Sequence, residues 1–148
     1  MGDIWENINN DMPKHMNKIY EKYNLKFVKL SPISTAMVGD DFAIIIGLDR
    51  FDALISYVYR EKNKLIEFEF DRYIAMEYDS DDRKDLIEGD GARTHVTNSL
   101  IVIQAGLLSK WSNILEGDKE WIKDYKKSNY YYQRELREGN RKILEKYI

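Results

Sequence analysis

Residues 42–70 read FAIIIGLDRFDALISYVYREKNKLIEFEF, and this stretch decides the fold of the chain. Its three apolar runs are separated by polar stretches at residues 49–52 and 61–64, which are rich in turn-forming residues. In the last run the side chains alternate, so that Glu67 and Glu69 point away from their apolar neighbours. Strands this closely spaced pair antiparallel, because parallel pairing needs long crossover connections. The stretch therefore predicts an antiparallel meander.

The segment before this stretch is predicted to supply a helix and further strands. Residues 3–23 have helical periodicity, with Asn10 or Asp11 as an N-cap and Pro13 in a first turn. The period then changes to that of strands, which Pro32 interrupts.

Two further helices are predicted after the meander. Residues 94–115 carry a broad apolar stripe, which is typical of a central helix covered by a sheet and its neighbours. Gly106 within that stripe indicates close packing. Between residues 121 and 147 apolar side chains recur at spacings of four and seven, which favours one long helix. We therefore predict an α+β fold, an antiparallel meander of about four strands packed against N-terminal, central and long C-terminal helices, in a single domain spanning residues 1–148.

Trp111 and Trp121 lie on either side of Gly117 and Asp118. Gly117 suits the left-handed position just past a helix end, and Asp118 suits the N-cap of a following helix. The two tryptophans are therefore predicted to be core residues at a helix–helix corner. Display of both rings to a partner is the alternative, since aromatic residues are enriched at interface hot spots.

The composition excludes several classes of protein. The 148 residues include no cysteine, which removes disulfides, thiolate zinc sites and thiol nucleophiles. The first residues, MGDIWENINNDM, carry acids where a signal peptide has a basic start and an apolar run. No apolar run approaches the length of a membrane span. A cytoplasmic protein without membrane contact is the expectation.

Motifs for metals, phosphates and catalysis are also missing from the sequence. An EF-hand loop that started at Asp79 would need an oxygen ligand at Arg83 and a glycine at Lys84. No glycine-rich phosphate loop is present. His95 follows Asp90 closely, but a histidine at a helix start is more often a surface or capping residue than a catalytic one. We therefore expect no metal, no cofactor and no enzymatic activity.

Charge is distributed unevenly around a net value of −3. Residues 77–118 hold nine acids against four bases, and residues 119–148 hold nine bases against five acids. Two solvated helices of opposite sign are the simplest interpretation, and an acidic face that meets a basic partner is the functional one. In the basic segment Tyr130, Tyr131 and Arg134 form an alternative contact surface. The acids interleaved there make nucleic acid an unfavourable partner, since phosphate binding depends on positive charge.

The order of parts along the chain has a parallel among known proteins. The features that carry it are the N-terminal helix, the strand LIEFEF at residues 65–70, the acidic DSDDR at residues 79–83, and WSNILEGDKEW at residues 111–121. This layout resembles that of small bacterial immunity-type proteins, the antidotes encoded beside polymorphic or contact-dependent toxins. The resemblance spans most of the chain and concerns its layout, so no binding residue is carried over. It implies inhibition of a protein partner by binding.

The resulting hypothesis is a protein-binding module that masks the site of a basic toxin domain. Complementary charge would speed association, and an aromatic anchor would supply affinity. The contact residues predicted for this surface are Tyr78, Asp79, Asp81, Asp82, Asp85 and Glu88.

Two alternatives remain open. One is a small ligand-binding domain or enzyme with a pocket between sheet and helices, for which the polar candidates are Thr35, Ser56, His95 and Gln104. The other is a scaffold or regulatory subunit that forms a homodimer through the C-terminal helix.

Overall fold

A six-stranded antiparallel sheet is the framework of the protein, whose computed structural model describes residues 2–148. The strands follow one another across the sheet in chain order. They are β1 (Lys26–Ser31), β2 (Ser34–Val38), β3 (Phe42–Leu48), β4 (Ala53–Glu61), β5 (Lys64–Phe68) and β6 (Gln133–Glu135). The α+β class and the antiparallel meander are confirmed, and the predicted number of strands is too low.

Two features account for the additional strands. Pro32 and Ile33 form the turn between β1 and β2, so the proline separates two paired strands. Proline, which has no backbone N–H, is tolerated at that place because a residue in the turn need not donate a hydrogen bond to the ladder. The strand β6 comes from the segment predicted to be helical, and it pairs with β5 so that Arg134 lies opposite Glu67.

Residues 2–148 form eight helices, most of them short. They are α1 (Gly2–Asn10), α2 (Met12–His15), α3 (Asn17–Lys22), α4 (Asp71–Ala75), α5 (Ala92–Leu108), α6 (Ser112–Leu115), α7 (Trp121–Lys127) and α8 (Glu138–Leu144). Within this described part of the chain, none of the helices has the length and apolar character needed to cross a membrane.

The predicted N-terminal helix is divided into α1, α2 and α3. Asp11 holds the N-cap position of α2 and Pro13 its first turn, although the Asp11 side chain makes no capping hydrogen bond. At the start of α3 the N–H groups of Lys18 and Ile19 donate to the side chain of Gln104 in α5. The first N–H groups of a helix have no partner within it, so this contact from α5 stabilises the new helix start.

The predicted central helix is divided between α5 and α6. At the break the Ser109 hydroxyl donates to the carbonyl of Ala105 at 2.9 Å. A serine that bonds the backbone in this way competes with helical hydrogen bonding. The next residue, Lys110, forms ion pairs with Asp79 and Asp82, which lie outside the helix.

The prediction of a long C-terminal helix is wrong, because α7 ends at Lys127 and the chain continues through a turn, β6 and α8. The Ser128 hydroxyl donates to the Tyr125 carbonyl and accepts a hydrogen bond from the N–H of Tyr130, which ends the helix. The regular apolar spacing was misleading because later members such as Leu136 are buried from an extended segment. The homodimer alternative therefore loses the helix on which it depended.

The first face of the sheet carries the main core. Alternate side chains of β3, β4 and β5, among them Ile44, Tyr57 and Phe68, are completely buried on this face among residues of the surrounding helices. Trp121 of α7 lies edge-on to Tyr57, with ring centroids 4.8 Å apart. Edge-on aromatic pairs add stability beyond the area that they bury. The alternation predicted for residues 65–70 is thereby confirmed.

The second face of the sheet is only partly covered. Leu144 of α8 packs there with Ala43, Val58 and other small apolar residues. Leu54 belongs to the same face, because side chains two positions apart on a strand share a side, yet it is 44% exposed. The end of this face beyond α8 is therefore open.

The corner between α6 and α7 answers the question raised by the two tryptophans. Trp121 is buried, and Trp111 is half-buried with its indole N–H donating to the Ile74 carbonyl at 3.2 Å. Gly117 adopts the predicted left-handed conformation, with φ of 91°. The Asp118 carboxylate accepts a hydrogen bond from the backbone two residues later, although α7 itself starts at Trp121. Trp121 is thus a core residue and Trp111 packs against the same core, and the two flank a helix–helix corner, as expected.

Replacing Gly106 by alanine is expected to destabilise the protein, although alanine is the better helix former. A Cβ at Gly106 would lie 2.2 Å from Cε1 of the Tyr78 ring, which confirms the predicted close packing. Overpacking of this kind costs about 1–3 kcal/mol. The free energy of unfolding in urea measures the effect.

Gly139→Ala in α8 is the matched control, because a Cβ there meets no atom within 4 Å. This variant is expected to keep its stability or gain up to about 1 kcal/mol. Equal stability of the two variants would contradict the close contact between Gly106 and Tyr78.

Candidate functional site

The residues predicted to contact a partner lie in the acidic loop, residues 77–90, between α4 and α5. The Asp79 carboxylate accepts hydrogen bonds from the N–H groups of Asp81 at 3.0 Å and Asp82 at 3.1 Å. Lys110 Nζ lies 2.5 Å from the same carboxylate, and this hydrogen bond holds the pKa of Asp79 below its ordinary value. These contacts fix the first half of the loop as a series of turns.

Two of the predicted contact residues face inward. The Tyr78 ring packs on Gly106 and its hydroxyl is buried, which raises the pKa of that hydroxyl. Asp82 is only 5% exposed, accepts a hydrogen bond from the Asp79 N–H, and lies 3.6 Å from Lys110. Tyr78 and Asp82 are therefore placed to support the acidic loop from beneath, and the expected aromatic anchor is not on its surface.

The other four predicted residues, Asp79, Asp81, Asp85 and Glu88, are exposed. Asp79 pairs with Lys110, and Asp81 lies 3.9 Å from the Lys84 ammonium. Within residues 2–148, Asp85 and Glu88 take part in none of the ion pairs. The second half of the loop thus presents uncompensated negative charge to solvent.

The acidic loop also exposes two apolar side chains that the sequence prediction omitted. Leu86 is 41% exposed and Ile87 is 48% exposed. The side-chain amide of Asn98 in α5 binds both the N–H and the carbonyl of Ile87, at 2.8 and 2.9 Å. The sequence contained a signal for this exposure. A helix would place residues 82 and 90 beside Leu86, and both are aspartates instead of apolar residues.

A second candidate site, the sheet groove, lies on the open part of the second face of the sheet. It has a volume of about 730 Å³, and its lining includes Ser56, Glu67, Glu69, Asp71, Tyr132 and Arg134. Tyr130 and Tyr131 also line it. The structure therefore brings the alternative contact surface together with Ser56, one of the polar residues predicted for a pocket. The residues of that surface are Tyr130, Tyr131 and Arg134.

A buried carboxylate organises the floor of the sheet groove. Glu67 of β5 is only 5% exposed and accepts hydrogen bonds from the Ser56 hydroxyl at 2.5 Å and from Arg134 Nε at 2.9 Å. Arg134 Nη1 lies 2.9 Å from the Glu69 carboxylate. The hydrogen bond to Glu67 raises the pKa of Arg134, which stays cationic. Glu67 thus has the partners that a buried charge requires.

One wall of the groove is the tyrosine strap, residues 130–132. The Tyr125 hydroxyl accepts a hydrogen bond from the Tyr132 N–H and donates one to the Tyr132 carbonyl, each at 3.0 Å. Tyr132 lies on the same side of the chain as Arg134, because strand side chains alternate. Its ring remains 53% exposed. The backbone of the strap is therefore fixed while its rings stay accessible.

Asp71, at the start of α4, is the least compensated acid of the groove. Its Oδ1 accepts a hydrogen bond from the Ile55 N–H at 3.1 Å. Burial raises the pKa of Asp71 to about 6, and the nearby charge of Asp52 adds to the shift. A carboxylate that is removed from water without a cation favours its neutral form.

The polar candidates for a pocket between sheet and helices do not come together. Thr35 donates to Asn9 at 2.7 Å, Gln104 binds the start of α3, and His95 lies at the surface beside the Phe51 ring. Ser56 lines the sheet groove, which lies on the second face of the sheet and not between the sheet and the helices of the main core. Among the described residues, no group of three or more histidine, cysteine or acidic side chains is arranged to hold a metal ion.

Comparisons with known protein families, with curated proteins and with solved structures found no match to this chain. The resemblance in layout to immunity-type proteins therefore has no independent support from relatives.

Arg134→Met is expected to destabilise the protein by about 2–4 kcal/mol, because it leaves the Glu67 carboxylate buried without a cation. Adding Glu67→Gln should restore more than half of that loss, since the amide carries no charge and its oxygen still accepts from Ser56. Urea unfolding of the single and double variants measures both steps. Additive losses would show that the two side chains are not coupled.

The raised pKa of Asp71 predicts a pH dependence of stability. The folded state holds the Asp71 proton up to a pH of about 6, whereas the unfolded chain releases it near pH 4. Folding therefore binds a proton in this window, and the contribution of Asp71 to stability is lost as the pH rises. The free energy of unfolding of Asp71→Asn minus that of the wild type should rise between pH 4 and 6 and stay constant above. A difference that is flat from pH 4 to 7 would contradict the burial of this carboxyl.

Proposed function

We propose that this chain is a protein-binding module that inhibits a basic partner by covering part of its surface with the acidic loop. The observation that carries the proposal is the exposure of Leu86 and Ile87 between the uncompensated acids Asp85 and Glu88. An apolar centre with a polar rim is the usual anatomy of a protein–protein contact. Leu86 and Ile87 take the role of anchor that the sequence prediction assigned to Tyr78.

The conformation of the acidic loop supports this proposal. Lys110 holds its first half through Asp79 and Asp82, and Asn98 holds its second half through the backbone of Ile87. A loop that is ordered before binding loses less conformational entropy when the partner arrives. The buried Tyr78 and Asp82 contribute by supporting this arrangement.

The charge of the loop supports a basic partner. Six of its seven acids are exposed, and the segment from residue 77 to residue 118 has a surplus of acids over bases. Complementary charge accelerates association and rejects partners of the wrong sign, while buried apolar anchors supply most of the affinity. We therefore expect binding that weakens as salt is raised.

The biological role that we propose is that of an immunity protein, a non-enzymatic antidote that masks a basic toxin domain in the bacterial cytoplasm. The resemblance in layout motivates this role, and the acidic, apolar-centred loop is suited to it. Neutralisation by masking requires no catalytic group, cofactor or metal on this chain.

The experiment is capture of partners from an extract of the native cells at low and high salt, followed by binding measurements with the purified partner. One dominant basic protein that is released by high salt is expected. The triple charge reversal Asp81→Lys, Asp85→Lys, Glu88→Lys should slow its association at least tenfold and reduce the salt dependence. Leu86→Ala with Ile87→Ala should instead raise the dissociation rate, because anchors determine the lifetime of a complex.

A matched control is the reversal of three exposed acids, Glu21 on α3, Asp124 on α7 and Glu145 at the C-terminal end of α8. This variant has the same net charge as the loop variant and is expected to bind the partner within about twofold of the wild type. Equal slowing by both variants would assign the effect to net charge and would contradict a role of the acidic loop. A captured protein whose activity is unchanged by the bound chain would contradict the antidote role.

A further inference from the structure

The positive charge of Arg134 in the sheet groove is already engaged by two carboxylates of the protein. The Ser56 hydroxyl and Arg134 Nε donate to Glu67, and Arg134 Nη1 forms an ion pair with Glu69 at 2.9 Å. Arg72 is exposed at the rim, where water and salt screen its charge. The interior of the groove therefore has little to offer an anion.

Some carboxylate oxygens of the groove accept no hydrogen bond from the protein. Asp71 accepts one hydrogen bond, through Oδ1 from the Ile55 N–H, and Glu69 is bound through Oε1 by Arg134. Within residues 2–148, no donor is assigned to Asp71 Oδ2 or to Glu69 Oε2. Asp71 is partly buried, and a carboxylate oxygen without a donor in such a place favours the arrival of a charged donor, which the exposed Glu69 can also reach from the rim.

Charge and aromatic surface point to the same kind of ligand. The acids Glu67, Glu69 and Asp71 outnumber Arg134 and the screened Arg72, so the groove has a surplus of negative charge. The tyrosine strap adds ring faces, which attract cations through the negative side of the ring quadrupole. The Tyr132 ring is accessible for such a contact because it is 53% exposed and its backbone is held by Tyr125.

From this geometry we infer that the sheet groove is a binding site for an organic cation, an ammonium or guanidinium group held by Asp71 and Glu69 against the Tyr132 ring. A volume of about 730 Å³ is that of a small-molecule site. The site is separate from the acidic loop and does not rest on the proposed function. The cation arrives either on a free amine or on a lysine side chain, and the chemistry of recognition is the same.

The test is titration calorimetry at low salt with spermidine, with a blocked tripeptide that has a central lysine, and with two matched ligands. The matched ligands are triethylene glycol, which is neutral, and glutarate, which is anionic. Both amine probes are expected to bind, and the other two ligands are not. Tighter binding of spermidine assigns the site to a free amine, and tighter binding of the peptide assigns it to a protein segment.

Three variants connect binding to the groove. Asp71→Asn keeps the acceptor for the Ile55 N–H and removes the charge, and it is expected to weaken amine binding roughly tenfold. Tyr132→Ala should weaken it by a similar factor if the ring faces the cation. Asp124→Asn changes the net charge equally at an exposed position of α7 and should leave the affinity within about twofold of the wild type.

The position of the bound amine is read from amide NMR shifts. We expect the largest shifts at residues 54–56, 67–72 and 130–134, and small shifts in the acidic loop, where amines would collect by charge alone. The affinity should rise between pH 5 and 7, because a proton on Asp71 competes with the cation. The charged groups around Asp71 are Asp52 and Arg72, which act on its pKa, and Glu67, Glu69 and Arg134, which line the same groove.

Four outcomes would overturn the inference. They are the absence of binding by both amines, stronger binding of glutarate than of either amine, equal weakening by Asp71→Asn and Asp124→Asn, and shifts confined to the acidic loop. Because Asp71→Asn is expected to be stable at neutral pH, its unfolding curve separates a loss of binding from a loss of structure.

Discussion

A carboxylate buried inside a β-sheet has to be matched by a cation, and Glu67 imposes this constraint on the C-terminal part of the chain. The cation is Arg134, which reaches Glu67 only because β6 pairs with β5 in the observed register. That pairing requires α7 to end before the tyrosine strap and lets the chain cross to the second face. There α8 packs Leu144 onto the sheet and leaves the groove beside it open.

The two candidate surfaces are exposed for different reasons, because the core leaves uncovered a loop with few apolar residues and one end of the sheet. Helices and aromatic rings cover most of the first face of the sheet, with Tyr57 packed against Trp121. The acidic loop connects two of those helices and has too few apolar residues to bury itself, so Leu86 and Ile87 stay exposed. The groove exists because one short helix cannot cover a six-stranded sheet. Each surface is nevertheless held by specific hydrogen bonds, which is what a preorganised binding surface requires.

The shapes of the two surfaces suit different ligands. The acidic loop is exposed, with an apolar centre and a charged rim, and such a surface gains affinity only from a partner large enough to cover it. The sheet groove is concave and mixes carboxylates with tyrosines, which suits the single charged group of a small ligand or side chain. A protein partner and an organic cation can therefore be tested independently on the same chain.

Local sequence patterns predicted the secondary-structure elements that depend only on residues close to one another in the chain. The alternation in residues 65–70 specifies a strand, and the turn residues at 49–52 specify hairpins, because both depend on neighbouring side chains alone. Gly106 and Gly117 were informative for the same reason, since an isolated glycine in an apolar helix or at its end has few other uses. Of the candidate sites, the exposed acids Asp79, Asp81, Asp85 and Glu88 were accessible to this reasoning as well.

The remaining features depend on contacts between residues far apart in the chain, and no local pattern encodes them. The division of the N-terminal helix depends on Gln104, and the turn that ends α7 leads to a strand that depends on Glu67. The inward placement of Tyr78 depends on the space beside Gly106, and that of Asp82 on Lys110. The sequence by itself determined the α+β class, the meander and the acidic character of the loop, because periodicity and charge are properties of neighbours. Only the tertiary structure decided which acids are buried, where the helices end and where the sheet stays open, because those outcomes require a distant partner to supply a hydrogen bond, a charge or a void.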